Sequence, residues 1–207
     1  MPTDTFYNLK TEKKERVIEA IIKELSSHTY EHINLSNIVR DSGIARGSFY
    51  QYFSDKDDLF MYFFQYIGEK KAAMYQDLFD PRTELSFLER FKRMYLRGFE
   101  FAKAYPKLVA AGYNMMQSKA FMDTDLMKSS IEQGILYFEN LIKIDQEKGI
   151  IRKTIDANLL ASMILDYMNK MTFESYIHPQ QGMDNIIQYV NMIADILQKG
   201  IETHVQS

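Results

Sequence analysis

Residues 43–48 read Gly-Ile-Ala-Arg-Gly-Ser, and three of them suit contact with a nucleic acid. Arg46 can form a two-pronged hydrogen bond with a guanine edge. Gly47 costs about 1 kcal/mol relative to alanine inside a helix, but it would let the backbone approach DNA closely. With Ser48 these residues would lie in the first turn of a helix, whose unpaired N–H groups attract phosphate. The segment therefore predicts a helix N-terminus that contacts DNA.

The residues that follow extend this expected surface. Tyr50, Gln51 and Tyr52 are polar or amphipathic, so we expect them to face outward, whereas Phe49 and Phe53 would anchor the helix inward. Lys56 is also informative. It falls in the first turn of the next expected helix, where a cation opposes the helix dipole. A bound phosphate would explain a residue that breaks this local rule.

Two short helices and a tight turn would position these side chains. Asn34 is a good N-cap for a helix over 35–42, and Gly43 can adopt the positive φ of a turn before a helix over 45–53. A longer amphipathic helix over 10–27 precedes them. This arrangement is typical of a helix-turn-helix. The spacing of Ser54 and Asp57 predicts a capping box that opens a long helix over 55–79.

Charge alone gives this segment no support as a DNA-binding domain. The chain carries a net charge of −3, and residues 10–56 contain eight Lys or Arg side chains against seven Asp or Glu side chains. DNA-binding domains are often clearly basic. The prediction therefore depends on where individual residues lie.

Residues 13–60 resemble the DNA-binding domain of the tetracycline-repressor-like (TetR) family, most closely over 38–60. The Gly-Ile turn, the Phe-Tyr pair, the later Phe and the Lys-x-x-Leu spacing all match. In three places the sequence departs from the family pattern: Ala45 replaces a frequent Ser cap, Tyr52 a frequent His and Gln51 a common basic residue. The resemblance implies DNA contacts, to bases from Ser36 and Arg46 and to phosphate from Ser48, Tyr50 and Lys56. The full expected set is Ser36, Arg46, Gly47, Ser48, Tyr50, Gln51 and Lys56.

The rest of the chain predicts an all-α fold with about nine helices. Further helices are expected over 83–104, 106–117, 123–148, 156–176 and 183–203. We expect a helix-turn-helix domain over 1–54 and a C-terminal helical bundle over 55–207 for ligand binding and dimerisation. The helix over 55–79 would link the two as a lever. Gly68 in its middle would either allow bending or make room for a neighbouring helix.

Many Met, Phe and Tyr side chains follow residue 60 and could line a cavity for a lipophilic effector. The alternative for each of them is ordinary core packing, and we expect Asn114 on the surface. The candidate ligand-binding residues are Tyr95, Phe99, Tyr113, Met116, Gln117, Phe138 and Tyr167.

The last two long helices are expected to form a homodimer interface. One apolar stripe comprises Leu160, Ile164, Tyr167 and Met171, and another comprises Ile186, Ile193 and Leu197. Two-fold symmetry would place two recognition helices about 34–36 Å apart, in successive major grooves. The expected target is a near-palindromic operator in double-stranded DNA, from which a repressor would be released by its effector.

Other classes of function find little support. The chain has no cysteine, which excludes disulfides, thiolate zinc sites and thiol catalysis. No catalytic, metal or cofactor motif is present, so we expect neither an enzyme nor a cofactor. Glu174 and His178 could bind a metal, although a helix-end salt bridge is the simpler interpretation. The remaining alternative is a helical protein-interaction module that has lost sequence-specific DNA binding. Without a signal peptide or membrane-spanning segment, a cytoplasmic location is expected.

Overall fold

The computed structural model describes residues 2–79, 83–177 and 183–201, and it describes their side chains except for 171–177 and 183–186. Its described residues form eleven α-helices and one 3-10 turn, Tyr30–His32. All nine expected helices are present, and two four-residue helices, α1 and α8, add to them. None of the helices in the described ranges has the length and apolar character needed to cross a membrane. The helices are α1 Asp4–Tyr7, α2 Thr11–Ser27, α3 Leu35–Ser42, α4 Arg46–Tyr52, α5 Lys56–Phe79, α6 Phe87–Ala104, α7 Pro106–Met116, α8 Lys119–Met122, α9 Asp125–Glu147, α10 Ala157–Ile177 and α11 Met183–Ile201.

The chain divides into two compact units. Unit 1 comprises residues 1–73 and 105–127, and unit 2 comprises 74–104 and 128–207. Unit 1 therefore contains more than the helix-turn-helix, because α7 packs along α2. Asn114 on α7 is half-buried and donates a hydrogen bond of 3.0 Å to the Leu25 carbonyl. The expectation that placed Asn114 on the open surface is therefore wrong. A functional division at residue 54 stays a prediction.

Helix α1 fixes the N-terminal segment against α4. Phe6 is fully buried, and its ring centroid lies 5.0 Å from those of both Phe53 and Tyr62. The Thr3 N–H donates a 3.0 Å hydrogen bond to the Tyr52 carbonyl, and the Thr3 hydroxyl donates to the Gln51 carbonyl. These carbonyls belong to the last turn of α4, where a helix leaves its acceptors unpaired. The segment before α2 thus completes the C-terminal end of α4.

The start of α5 is capped in a different register from the one expected. The Asp55 carboxylate accepts a 2.8 Å hydrogen bond from the Asp58 N–H, and Asp58 accepts from both the N–H and the hydroxyl of Ser54. The capping pair is therefore Asp55 with Asp58, rather than Ser54 with Asp57. Asp57 instead accepts a hydrogen bond from the Tyr30 hydroxyl.

Unit 2 is built around an aromatic and aliphatic core. Phe87 and Phe91 of α6 pack with Phe138 and Ile142 of α9, and all four are buried. A carboxylate also lies in this core: Asp145 is 2% exposed and accepts a 2.7 Å hydrogen bond from the Phe87 N–H. Burial raises the pKa of Asp145. This contact satisfies one of the unpaired donors at the start of α6.

The apolar stripes expected at the dimer interface face the core of unit 2 instead. Leu160 and Ile164 are 6% and 3% exposed, and Ile193 and Leu197 pack against the same core. Tyr167 is half-buried in a neighbouring cluster, and the side chains of Met171 and Ile186 lie outside those described. For the described side chains, the stripe assignment is therefore wrong by about one position on each helix. The apolar side chains that are exposed among those described on α10 and α11 are Leu159, Met163, Ile187, Tyr189, Met192 and Ile196.

The structure distinguishes the two roles considered for Gly68. A Cβ placed there would meet no heavy atom of the described chain within 4 Å, so packing does not require a glycine. Gly134 shows the contrast, because a Cβ there would lie 3.2 Å from a terminal methyl of Leu165. Gly134 makes room for a neighbour, whereas the bending role of Gly68 stays a prediction.

Candidate DNA-binding surface

The turn between α3 and α4 has the predicted geometry. The Asn34 side chain accepts a 2.9 Å hydrogen bond from the Ser36 N–H and caps α3. Gly43 follows the last residue of α3 with φ 67° and ψ 27°, in the left-handed region where a Cβ is costly. The N–H groups of Gly43 and Ile44 then donate to the carbonyls of Arg40 and Val39. This chain reversal orients α4 relative to α3.

Helix α4 is held from one side and presents the other to solvent. Phe49 and Phe53 are fully buried, as predicted. Tyr52 is only 2% exposed and packs near Phe6, so the expectation that it faces outward is wrong. Ala45 precedes α4 without a side-chain cap, which leaves donors at the start of the helix free to meet a ligand. The exposed residues of this helix are Arg46, Gly47, Tyr50 and Gln51.

Arg46 projects from the first turn of α4 into solvent. Its side chain makes no hydrogen bond or ion pair with any other residue that the structure describes. Ser36 is exposed on α3, and Ser48 is partly exposed on α4. The structure therefore brings six of the seven expected DNA-contacting residues onto the two helices of the motif, with five of them exposed.

A buried glutamate joins α2 to α3. Glu24 is 6% exposed, and its carboxylate accepts a 2.9 Å hydrogen bond from the Asn34 N–H. It also accepts a 3.1 Å bond from the Asn37 side chain, and His28 lies 3.4 Å away. Charge-assisted bonds of this kind fix both helices firmly. No sequence signal distinguishes Glu24, because it is one of several glutamates in an amphipathic helix rich in Lys and Glu.

Lys56, the seventh expected residue, has a tertiary partner. Its ammonium lies 4.2 Å from the centroid of the Tyr30 ring, in a cation–π contact. Burial lowers the pKa of Lys56, while the nearby Glu31 and Asp57 act in the opposite direction. Burial and the hydrogen bond to Asp57 raise the pKa of Tyr30 to about 12, so the phenol stays neutral and donates. This environment accounts for a cation in the first turn of α5 without a bound phosphate.

Ion pairs reduce the positive charge available near the motif. Asp41 lies 2.6 Å from the Lys23 ammonium and 2.8 Å from the Arg40 guanidinium. Both contacts lower the pKa of Asp41. The two cations are well exposed, so solvent screens the pairs. Asp41 therefore partly balances these two cations, whereas the Arg46 side chain has no such partner among the described residues.

Residues 17–62 match the sequence profile described as bacterial regulatory proteins, tetR family. This segment is a TetR-type helix-turn-helix. The match confirms the resemblance inferred from residues 13–60, and it spans α2 to the early turns of α5. In the TetR-type motif α4 is the recognition helix, the element that enters the major groove in helix-turn-helix proteins.

The whole chain also has similar relatives. It is 21% identical over 195 residues to the fatty acid metabolism regulator protein of Bacillus subtilis strain 168, spanning 93% of this chain and 97% of that protein. A TetR family transcriptional regulator from Chloroflexus aurantiacus J-10-FL superposes with a TM-score of 0.77 at 23% identity, covering 99% and 100% of the two chains. The regulator FadR from Bacillus subtilis, solved in complex with stearoyl-CoA, superposes with a TM-score of 0.73 at 17% sequence identity. The match covers 90% of this chain and 98% of FadR. The chain therefore has an all-helical, TetR-like fold.

The residues expected to bind a ligand in this TetR-like fold are divided between the two units. Tyr95, Phe99 and Tyr167 share one cluster in unit 2 with Val190 of α11. Phe138 lies in the larger core of unit 2. Three further candidates lie in unit 1, at the end of α7: Tyr113, Met116 and Gln117.

The described side chains form no candidate metal site. No group of three His, Asp or Glu side chains in the described part of the chain is arranged to hold a metal ion. The pair formed by Glu174 and His178 lies outside the described side chains.

Proposed function

We propose that this chain is a homodimeric, ligand-responsive transcriptional repressor rather than an enzyme, and that it binds a near-palindromic operator. The observation that carries this proposal is the surface of the TetR-type motif. Phe49 and Phe53 anchor α4 from inside, and Arg46 projects from its first turn without a partner among the described residues. An unpaired, exposed arginine at the N-terminus of a recognition helix suits readout of a guanine edge.

Each expected residue has a distinct role in this proposal. Arg46 and Ser36 contact base edges, and Gly47 allows the backbone of α4 to approach DNA. Ser48 and Tyr50 contact phosphate. Gln51 contacts DNA beside them, and Lys56 supplies a positive charge to the DNA from α5. Phosphate contacts position the protein, whereas base contacts specify the sequence.

A homodimer supplies the second recognition helix. The exposed apolar side chains of α10 and α11 support an interface there, since large apolar patches on a surface mark association sites. Met163 and Met192 are each about three-fifths exposed, and Ile196 is 69% exposed. A two-fold axis through these helices pairs the same patch on both subunits.

A lipophilic effector would release the operator. Support comes from the Met- and Tyr-rich composition and from the FadR relative solved in complex with stearoyl-CoA. An effector shifts DNA affinity only if it binds one of two conformations more tightly. The helix α5 is the proposed lever between the two conformations.

Selection from random DNA duplexes at moderate salt tests the proposal. We expect enrichment of one near-palindrome by the purified chain, and loss of about 1–3 kcal/mol of binding free energy in Arg46→Ala, with relaxed preference at one base pair per half-site. Arg93→Ala is the matched control, because Arg93 is an exposed arginine on α6. If no duplex is enriched, and Arg46→Ala behaves like the parent protein, the proposal fails and a helical protein-interaction module takes its place.

A further inference from the structure

A cavity in unit 1 lies outside the surface proposed to contact DNA. Its volume is about 400 Å³, within the range of small-molecule sites. It is formed by the 3-10 turn, the start of α5, the helix α8 and the start of α9. None of the seven residues expected to bind an effector lines it. The lining residues that matter most for ligand binding are Tyr30, Asp57, Phe60, Met61, Phe121 and Asp125.

Aromatic rings form one wall of this cavity. The rings of Tyr30 and Phe60 meet edge to face with centroids 4.5 Å apart. The Phe121 ring lies 6.0 Å from Phe60, and both phenylalanines are almost fully buried. These packed rings are fixed in position, and the negative faces of aromatic rings attract cations. The wall suits a flat or cationic organic group.

The charged residues that line the cavity are both carboxylates, Asp57 and Asp125. They come from the first turns of two different helices, α5 and α9, and both are exposed at the rim. Lys56 is adjacent in sequence but does not line the cavity. Its charge is directed to the Tyr30 ring. An anionic ligand would meet two like charges here, whereas a cation would meet two opposite charges and aromatic faces.

We propose that this cavity binds an organic cation that carries an aromatic ring and an amine or ammonium group. The aromatic part packs against Phe60 and Phe121, and the cationic group lies between Asp57 and Asp125. The apolar wall supplies affinity, and the carboxylates supply selection for charge. The site is distinct from any that the surface of α4 provides.

Tyr30 connects this cavity to Lys56. One side chain lines the cavity, donates to the Asp57 carboxylate and carries the Lys56 ammonium on its ring. A ligand that displaces the Tyr30 ring therefore also displaces Lys56. Any consequence for DNA affinity rests on the proposed function, whereas the binding site itself does not.

Calorimetry on the full chain without DNA tests the site with three probes of one shape. These are 1-naphthylmethylammonium, the neutral 1-naphthalenemethanol and the anionic 1-naphthoate. We expect the cation to bind most tightly, and Asp57→Asn or Asp125→Asn to weaken it about three- to fivefold each. Asp123→Asn is the matched control, because Asp123 is an exposed carboxylate two residues from Asp125 and outside the lining. Ala120→Phe should abolish binding by filling the cavity from an exposed position on α8.

Two results would overturn the site: equal binding of all three probes, or equal loss of affinity in the Asp123 and Asp125 variants. A separate titration of operator DNA with the cation present tests the link through Tyr30. Retained cation binding with unchanged DNA affinity overturns that link alone. Cation binding by a chain that binds no duplex overturns the proposed function and supports the site.

Discussion

Gly47→Ala separates the stability of α4 from its contact with DNA. Gly47 is exposed in the first turn of the helix, and an added Cβ would meet no heavy atom of the described chain within 4 Å. Alanine should therefore stabilise the fold by about 0.5–1 kcal/mol, since glycine loses more backbone entropy on folding. For a protein of this size, 1 kcal/mol corresponds to about 2–4 °C in Tm. If the backbone at Gly47 approaches DNA closely, the same methyl group should weaken operator binding about tenfold, or about 1.4 kcal/mol.

The assay pairs urea unfolding with fluorescence anisotropy on the duplex obtained by selection. Gly200→Ala is the matched control, because Gly200 is an exposed helical glycine of α11 with the same open space around its Cβ position. It should gain up to about 1 kcal/mol of stability and keep its DNA affinity. A stabilised Gly47→Ala variant with unchanged DNA affinity would refute the close approach of the backbone. A destabilised variant would show that the space around the Cβ position of Gly47 is not open.

Four further variants test other parts of the structure. Lys56→Met should lower the slope of log affinity against log salt by about 0.9, and an unchanged slope would show that Lys56 contacts Tyr30 alone. Burial raises the folded-state pKa of Asp145, so its stabilising contribution is present below the unfolded value of about 3.9 and is lost as pH rises through the folded value. Asp145→Asn should thus gain stability over the parent protein towards neutral pH in urea titrations. Glu89→Gln should lose stability in the same range, since hydrogen bonds from Ser86 lower the pKa of Glu89. A loss in Asp145→Asn, or a gain in Glu89→Gln, would contradict the sign assigned to that residue. Met163→Glu should yield monomers in sedimentation while Gln133→Glu on α9 does not, and a dimeric Met163→Glu would place the interface elsewhere.

Local sequence signals predicted the helix-turn-helix because its geometry depends on neighbouring residues. Asn34 caps α3 through a bond to a residue two positions away, and Gly43 alone supplies the positive φ that the turn requires. The apolar spacing of Phe49 and Phe53 likewise fixed the inner face of α4. Each of these features is decided within one or two helical turns, where residue type is a strong guide.

Long-range contacts explain the features that the sequence did not predict. Helix α1 has only four residues, too few for a periodic pattern, and Phe6 is buried by residues about 50 positions away. The sequence predicts that Tyr52 faces solvent, because an amphipathic residue at that position of α4 suits the outer face. The Phe6 ring packs against it instead. Helix propensity and periodicity describe single elements, so they contain no information about a cover supplied by another segment.

Apolar periodicity places the dimer stripes about one position away from the exposed side chains for a related reason. Helix α10 is apolar around much of its surface, so Leu159 and Leu160 both suit either a core or an interface. Burial in unit 2 decides between them, since Leu159 is 61% exposed and Leu160 only 6%. The sequence of a helix that is hydrophobic on several faces does not by itself indicate which face is buried. The exposed apolar side is therefore visible only once the core is known.

Lys56 and Gly47 both break a local rule of helix formation, and the structure separates them. A cation in the first turn of α5 is unfavourable only in isolation, because the ring of Tyr30 and the carboxylates around it compensate for the position. Nothing in the described chain compensates for Gly47, whose Cβ position is open and whose helix would be more stable with alanine. A residue that breaks a local rule and has no compensating partner within the fold indicates a functional contact with a ligand. Gly47 is thus the stronger indication of close DNA contact, whereas the position of Lys56 is explained within the fold by its contact with the Tyr30 ring beside the cavity.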